Sequence, residues 1–132
     1  MARADSVKGR FQHYGVLVVP VMLDGIRLEF MVDTGASFCS ISRSVATRVG
    51  IDMKTTEEIS MVPASGAPIH VPLTKVNLKV GIKAVKNLNV AIFDFPSELR
   101  VDGLLGMNFL KKFRFTIEPD TAILILREIP QS

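Results

Sequence analysis

The sequence predicts a single all-β, barrel-like domain carrying one or two short helices. Three observations lead there. Short runs of valine, isoleucine and leucine recur along the chain, separated by glycine and proline turns. Val76, Leu78 and Val80 alternate with polar residues, the period of a strand buried on one face. Helical patterns occur only after Ser42 and after Gly106, and both are short.

The elements follow in order. Gly15 to Leu23 reads as a strand, and Pro20 places it at an edge or near a bulge. Asp24-Gly25 is a hairpin-turn pair, with Ile26 to Val32 returning as the partner strand. Phe38 to Ile41 is a further short strand. A helix then runs from Ser42 or Arg43 to Val49, with Ser42 as N-cap and Gly50 as terminator. Glu57 to Val62 and Ile69 to Val80 form two strands joined by Pro63-Ala64-Ser65-Gly66-Ala67-Pro68. Small residues between two prolines suit either an exposed turn or a mobile flap over a site. Gly81 permits a turn into a strand over Val85 to Phe93, and Asp94 to Asp102 is a loop. Gly103-Leu104-Leu105-Gly106 leads into a helix over residues 107–112, and Phe113 to Ile117 with Ala122 to Leu126 closes the chain as a hairpin. No linker or low-complexity tract interrupts this series. The expected domain is 15–128, between an N-terminal extension, 1–14, and a C-terminal tail, 129–132.

A chain of 132 residues, 48% of them hydrophobic, is long and apolar enough for one core, which excludes a disordered tail. No run reaches the length of a membrane-spanning helix, and the first ten residues are polar rather than a signal-peptide core. The expectation is a cytoplasmic protein as written, or the soluble domain of a longer anchored or exported one. The net charge is +3, with Lys83, Lys86, Lys111, Lys112 and Arg114 spread among apolar residues and few aromatics beside them. These read as solvated faces and not as a nucleic-acid surface. Cys39 is the only cysteine, so no internal disulfide forms, and it reads as a small core residue. His13 and His70 lack companions at metal-ligand spacing, so neither metal nor cofactor is expected.

One stretch stands apart. In Phe30-Met31-Val32-Asp33-Thr34-Gly35-Ala36-Ser37 an apolar run ends in an acid, a hydroxyl residue, a glycine and two small residues. A carboxylate at the end of a buried strand is costly unless it is hydrogen-bonded or shares its charge. Thr34 can supply hydrogen bonds, and Gly35 allows close approach of a backbone or ligand. A bare Asp-Thr-Gly would arise by chance in about 3% of chains this long, so the motif is weak alone. A faint internal echo strengthens it: Val101-Asp102-Gly103-Leu104-Leu105-Gly106 also precedes a helix.

The pair formed by Val32-Asp33-Thr34-Gly35-Ala36-Ser37 and, about seventy residues later, Leu104-Leu105-Gly106 resembles the retroviral-type (retropepsin-like) aspartic proteases of the bacterial kind. The likeness runs from about Val16 to Leu126, with the flap-like hairpin between the motifs. The resemblance implies a closed, barrel-like acid-protease lobe that works as a homodimer on polypeptide substrates. The residues agree independently. Aspartic-protease chemistry uses two carboxylates sharing a proton, and this chain holds one Asp-Thr-Gly, so the second Asp33 must come from a second subunit.

By resemblance Asp33 is catalytic, and Thr34, Gly35 and Ala36 form the active-site loop. Ser37, the tip residues Ala64, Ser65, Gly66 and Ala67, and Val101 and Leu104 contact substrate, while Leu105 and Gly106 support the catalytic loop. Viral enzymes often carry an acid where Ser37 stands and an arginine where Met107 stands, so viral substrate contacts do not transfer. In viral members the chain ends interleave, and Ala122 to Leu126 is apolar enough for either a central or an interface strand. The alternative reading is a non-catalytic peptide-binding or dimerisation module of the same fold.

Overall fold

The structure, a computed structural model, describes residues 5–12, 15–62 and 66–130. Strands β1 (Ser6–Lys8), β2 (Arg10–Phe11), β3 (Leu17–Leu23), β4 (Ile26–Val32) and β5 (Cys39–Ile41) precede helix α1 (Arg43–Arg48). Then come β6 (Glu57–Met61), β7 (Ile69–Val80), β8 (Lys83–Ile92) and β9 (Gly103–Leu105), helix α2 (Met107–Leu110), β10 (Phe113–Glu118) and β11 (Ile123–Glu128).

One sheet runs in the order β2-β3-β4-β9-β5-β8-β7-β6, and a further pairing of β3 with β7 closes its six inner strands into a barrel. The expected all-β, barrel-like lobe with one or two short helices is the observed fold, and among the described residues the α-helices are two. Alternation along each strand turns one row of side chains inward. Val19, Val21, Leu23, Leu28, Phe30, Leu78, Val90, Ile92 and Leu105 are all buried in this core. The barrel closes where β3 meets β7, at Met22 opposite Lys79 and Leu23 opposite Leu78. Asp24 and Gly25 both take positive φ, 48° and 82°, the twist that a two-residue hairpin needs. Asp24 also pins this turn to β7: its N–H donates to the Asn77 carbonyl at 2.9 Å, and its carboxylate accepts from the Asn77 N–H at 2.8 Å.

Pro20 explains itself by position. On the side away from β4, β3 is paired with β2 at Leu17 and Val18 and with β7 at Met22 and Leu23. Pro20 lies in the gap between them, where a missing N–H costs no ladder bond. Helix α1 begins as expected, with the Ser42 hydroxyl accepting from the Val45 N–H at 3.3 Å. It ends at Gly50 with φ +83°. Helix α2 is shorter than expected, because Lys111 and Lys112 belong to the turn into β10.

The chain ends depart most from the sequence expectation, in which residues 1–14 lie outside the domain. β1 pairs antiparallel with β11, β2 pairs with β3, and Val7 is buried in the main core. Gly9 makes this possible: a Cβ there would stand 2.5 Å from the Val18 carbonyl oxygen. β1 and β10 flank β11 in a second, three-stranded sheet. The stretch over Ala122 to Leu126 is therefore a central strand of its sheet within one chain. Leu124 and Leu126 are fully buried.

Candidate active site

Two glycine-bearing motifs, far apart in sequence, meet in the middle of the barrel wall. β9 lies parallel to β4, with Phe30 opposite Gly103, Met31 opposite Leu104 and Val32 opposite Leu105. Its other edge runs antiparallel to β5. Gly103 is needed for this fit, since a Cβ would lie 2.4 Å from the Ser40 carbonyl and 2.6 Å from the Phe30 ring.

The chain leaves β4 at Val32 and turns sharply. The Asp33 N–H donates to the Leu105 carbonyl at 3.0 Å, which ties the turn to β9. The Gly35 N–H donates to Asp33 Oδ1 at 3.0 Å, and the Ala36 N–H donates to the Asp33 carbonyl at 3.2 Å. Asp33 is half-buried, while Thr34 and Gly35 are exposed. The carboxylate is thus held by its own loop and still reaches solvent.

Beneath the loop the support is close. A Cβ on Gly106 would stand 2.5 Å from the Phe38 carbonyl and 2.9 Å from the Ala36 carbonyl, so only glycine fits. The Met107 N–H donates to the Ala36 carbonyl at 2.8 Å and the Asn108 N–H to the Ser37 carbonyl at 3.1 Å, so the first turn of α2 caps the loop. Leu105 is fully buried and Leu104 nearly so, while Val101 is half-buried.

Two residues that the sequence does not assign to the site hold it together. The Asn108 amide oxygen accepts from the Cys39 N–H at 2.7 Å, and its amide nitrogen donates to the Asn89 carbonyl at 2.7 Å, joining α2 to β5 and β8. Its signal in the sequence is faint: asparagine is a poor helix former, so within a short helix it hints at bonds made elsewhere. Cys39 is fully buried, and its sulfur accepts from the Gly106 N–H at 3.3 Å. Burial pushes its thiol pKa up to about 11, against the opposing pull of backbone hydrogen bonds from Gly106 and Phe109. It is a neutral packing group.

The other acid-glycine turns do different work. Both Asp102 oxygens are engaged, one accepting from the Glu29 N–H at 2.8 Å and the other from Arg48 at 3.0 Å. Asp102 thus anchors the outer side of β4, and its echo of Asp33 is geometric and not chemical. Of the expected substrate-contacting tip, Gly66 and Ala67 are exposed, with Gly66 at φ +87°. Ala64 and Ser65 lie outside the described residues. Strands β6 and β7 contribute to a small separate cluster, in which Val71 and Leu73 of β7 meet Ala91 of β8 and Ile59 and Met61 of β6 pack beside Phe38 of the loop. Ser37 is exposed and faces a groove toward β8 and α2. Among the described residues no group of three or more His, Cys, Asp or Glu side chains could hold a metal ion, and no helix is long and apolar enough to cross a membrane.

Residues 19–109 match the family model described as aspartyl protease. No curated protein matches the chain. Among solved structures, a retropepsin-like aspartic protease from Rickettsia conorii superposes with a TM-score of 0.73 at 23% identity, covering 93% of this chain and 90% of that one. The retroviral protease-like domain of Ddi1 from Leishmania major gives a TM-score of 0.58 at 18% identity, over 86% of this chain and 90% of that one.

Proposed function

Since the chain belongs to the aspartyl protease family, we propose that it is one half of a homodimeric aspartic endopeptidase whose two Asp33 carboxyls activate a single water. The observation that carries this reading is the Asp33 turn itself. The carboxylate accepts from its own loop at Gly35, the Asp33 backbone is tied to β9 at Leu105, and the group remains open to solvent beside the exposed Thr34 and Gly35. One carboxyl cannot serve as base and acid in the same step, and a two-fold axis beside Thr34 and Gly35 would supply the second.

In the proposed reaction the ionised Asp33 takes a proton from the water as it attacks the scissile carbonyl. The protonated Asp33 of the second subunit donates to the carbonyl oxygen as charge develops. The tetrahedral intermediate then collapses, with the leaving amine protonated from the dyad. No covalent enzyme intermediate forms. Thr34 hydrogen-bonds across the axis, and the Gly35 backbone contacts the bound peptide. Leu104 and Val101 line the cleft with Ser37. Leu105 and Gly106 act from below, by fixing the loop. The tip over residues 64–67 closes above the substrate.

The test is cleavage of an unfolded protein such as casein at about pH 4 to pH 7, with wild type beside Asp33→Asn. Asparagine keeps an oxygen that can accept from the Gly35 N–H, so the variant should fold as the parent does. Expected is a loss of at least about a thousandfold in rate with little change in thermal midpoint. Equal activity in both proteins would sink the proposal. A stable dimer that binds peptides without cutting them, in both proteins, would support a binding module instead.

A further inference from the structure

Beside the active-site loop runs a groove of about 460 Å³, lined at its near end by Ser37 and Phe38 and farther out by β8 and the end of α2. Its charge is one-sided. Lys86, Lys111 and Lys112 line it, and among the described residues no aspartate or glutamate does. All three lysines are exposed, and among the described residues none stands in an ion pair, whereas Lys83 on the same strand is paired with Glu128. Two of the asparagines that line it are tied down by hydrogen bonds. Asn108 commits its side chain to Cys39 and Asn89, and the Asn87 N–H is bonded to Asn77.

We infer that this groove takes an acidic segment of the polypeptide substrate and so biases cleavage toward chains with carboxylates flanking the scissile region. The inference rests on the proposed endopeptidase reading for its cleavage consequence, but not for binding. Ser37 and Phe38, which directly follow the loop that carries Asp33, line the groove, and this places it within reach of a chain bound at that loop. The apolar side chains of Phe38 and Val85 give an extended backbone something to lie on, and the lysine rim offers counter-charges to its acidic side chains. A nucleic acid fits less well: among the described residues Phe38 is the only aromatic lining the groove, so successive bases have nothing to stack on.

The experiment uses the full chain with Asp33→Asn, so that nothing is cut, and fluorescence anisotropy with two short labelled peptides. They share one apolar centre and differ only in a flank of glutamates or of glutamines. The glutamate peptide should bind about tenfold tighter at low salt. The advantage should shrink at about 0.5 M NaCl and vanish in Lys86→Gln/Lys111→Gln/Lys112→Gln. A control with the same charge change elsewhere, Lys54→Gln/Lys75→Gln/Lys79→Gln, should keep it. Equal binding of both peptides, or a preference that survives the groove triple or disappears in the control triple, overturns the inference. Tighter binding of a thymidine oligonucleotide that is lost with the groove triple also overturns it, in favour of nucleic acid. With Asp33 intact, the same peptides should differ in KM and not in kcat. A binding preference without any cleavage would leave the groove standing and remove the endopeptidase reading.

Discussion

Gly106 and Cys39 show how the loop is supported by residues that do no chemistry. Gly106 has an ordinary negative φ, so its constraint is space rather than backbone conformation. Gly106→Ala should cost about 1–3 kcal/mol through forced movement of the loop, visible as a lower urea midpoint, with activity falling further because Ala36 and Phe38 shift. A variant as stable and active as the parent would contradict the close contact. Cys39 adds a pH dependence with a definite sign. The folded state raises the thiol pKa from its usual 9.0 to about 11, while the unfolded chain releases the proton earlier. Its contribution is therefore fully present below about pH 9 and lost as pH rises toward 11, by roughly 2–3 kcal/mol. Urea unfolding of wild type and Cys39→Ala at about pH 8 and pH 10.5 isolates it: the wild type should lose more stability across that interval. Parallel losses would refute the assignment.

At the scale of elements, β1 and β11 carry the sheet outside the barrel. Val7 is the inward anchor of β1, and it sits so close to the turn that a Cβ on Gly81 would stand 2.7 Å from its methyl group. Val7→Ala should cost about 1–2 kcal/mol and free the edge of β11 for local opening, measured as faster amide exchange over Ile123 to Ile125. Unchanged exchange there would mean that β1 contributes little. The tail is a different matter. β11 runs to Glu128, so deleting Ile129 to Ser132 removes no residue paired in that strand. Sedimentation should find the same association state after the deletion, and loss of a dimer would give the tail an interface role.

For the whole molecule, the proposed reading makes a single chain inert. Within the described residues the lobe buries a continuous core in a closed barrel. A partner is called for by the proposed chemistry, which needs a second carboxyl. Cleavage rate should rise faster than linearly with enzyme concentration until the dimer saturates. The coupled carboxyls should give a bell-shaped pH profile weighted to the acid side. A rate linear in enzyme and flat from about pH 4 to pH 9 would exclude a shared-proton dyad.

Much of this protein was already determined by its sequence. The alternation along β7, the Asp24-Gly25 hairpin and the Ser42 cap rest on contacts between near neighbours, and local preference is enough to specify them. The paired motifs at Asp33 and Gly106 were legible for a similar reason: a carboxylate turn and an obligatory glycine leave few alternative residues. Only tertiary structure decided which acid is committed elsewhere: both Asp102 oxygens are engaged, by the Glu29 N–H and by Arg48, whereas the Asp33 carboxylate accepts from its own loop at Gly35. It also decided the fate of residues 6–11, whose short, polar strands carry no periodicity and exist because β11 and β3 offer them edges. The roles of Asn108 and Cys39 came the same way. Their partners lie up to 69 residues away, and hydrogen bonds across such a distance exist only once the barrel has closed.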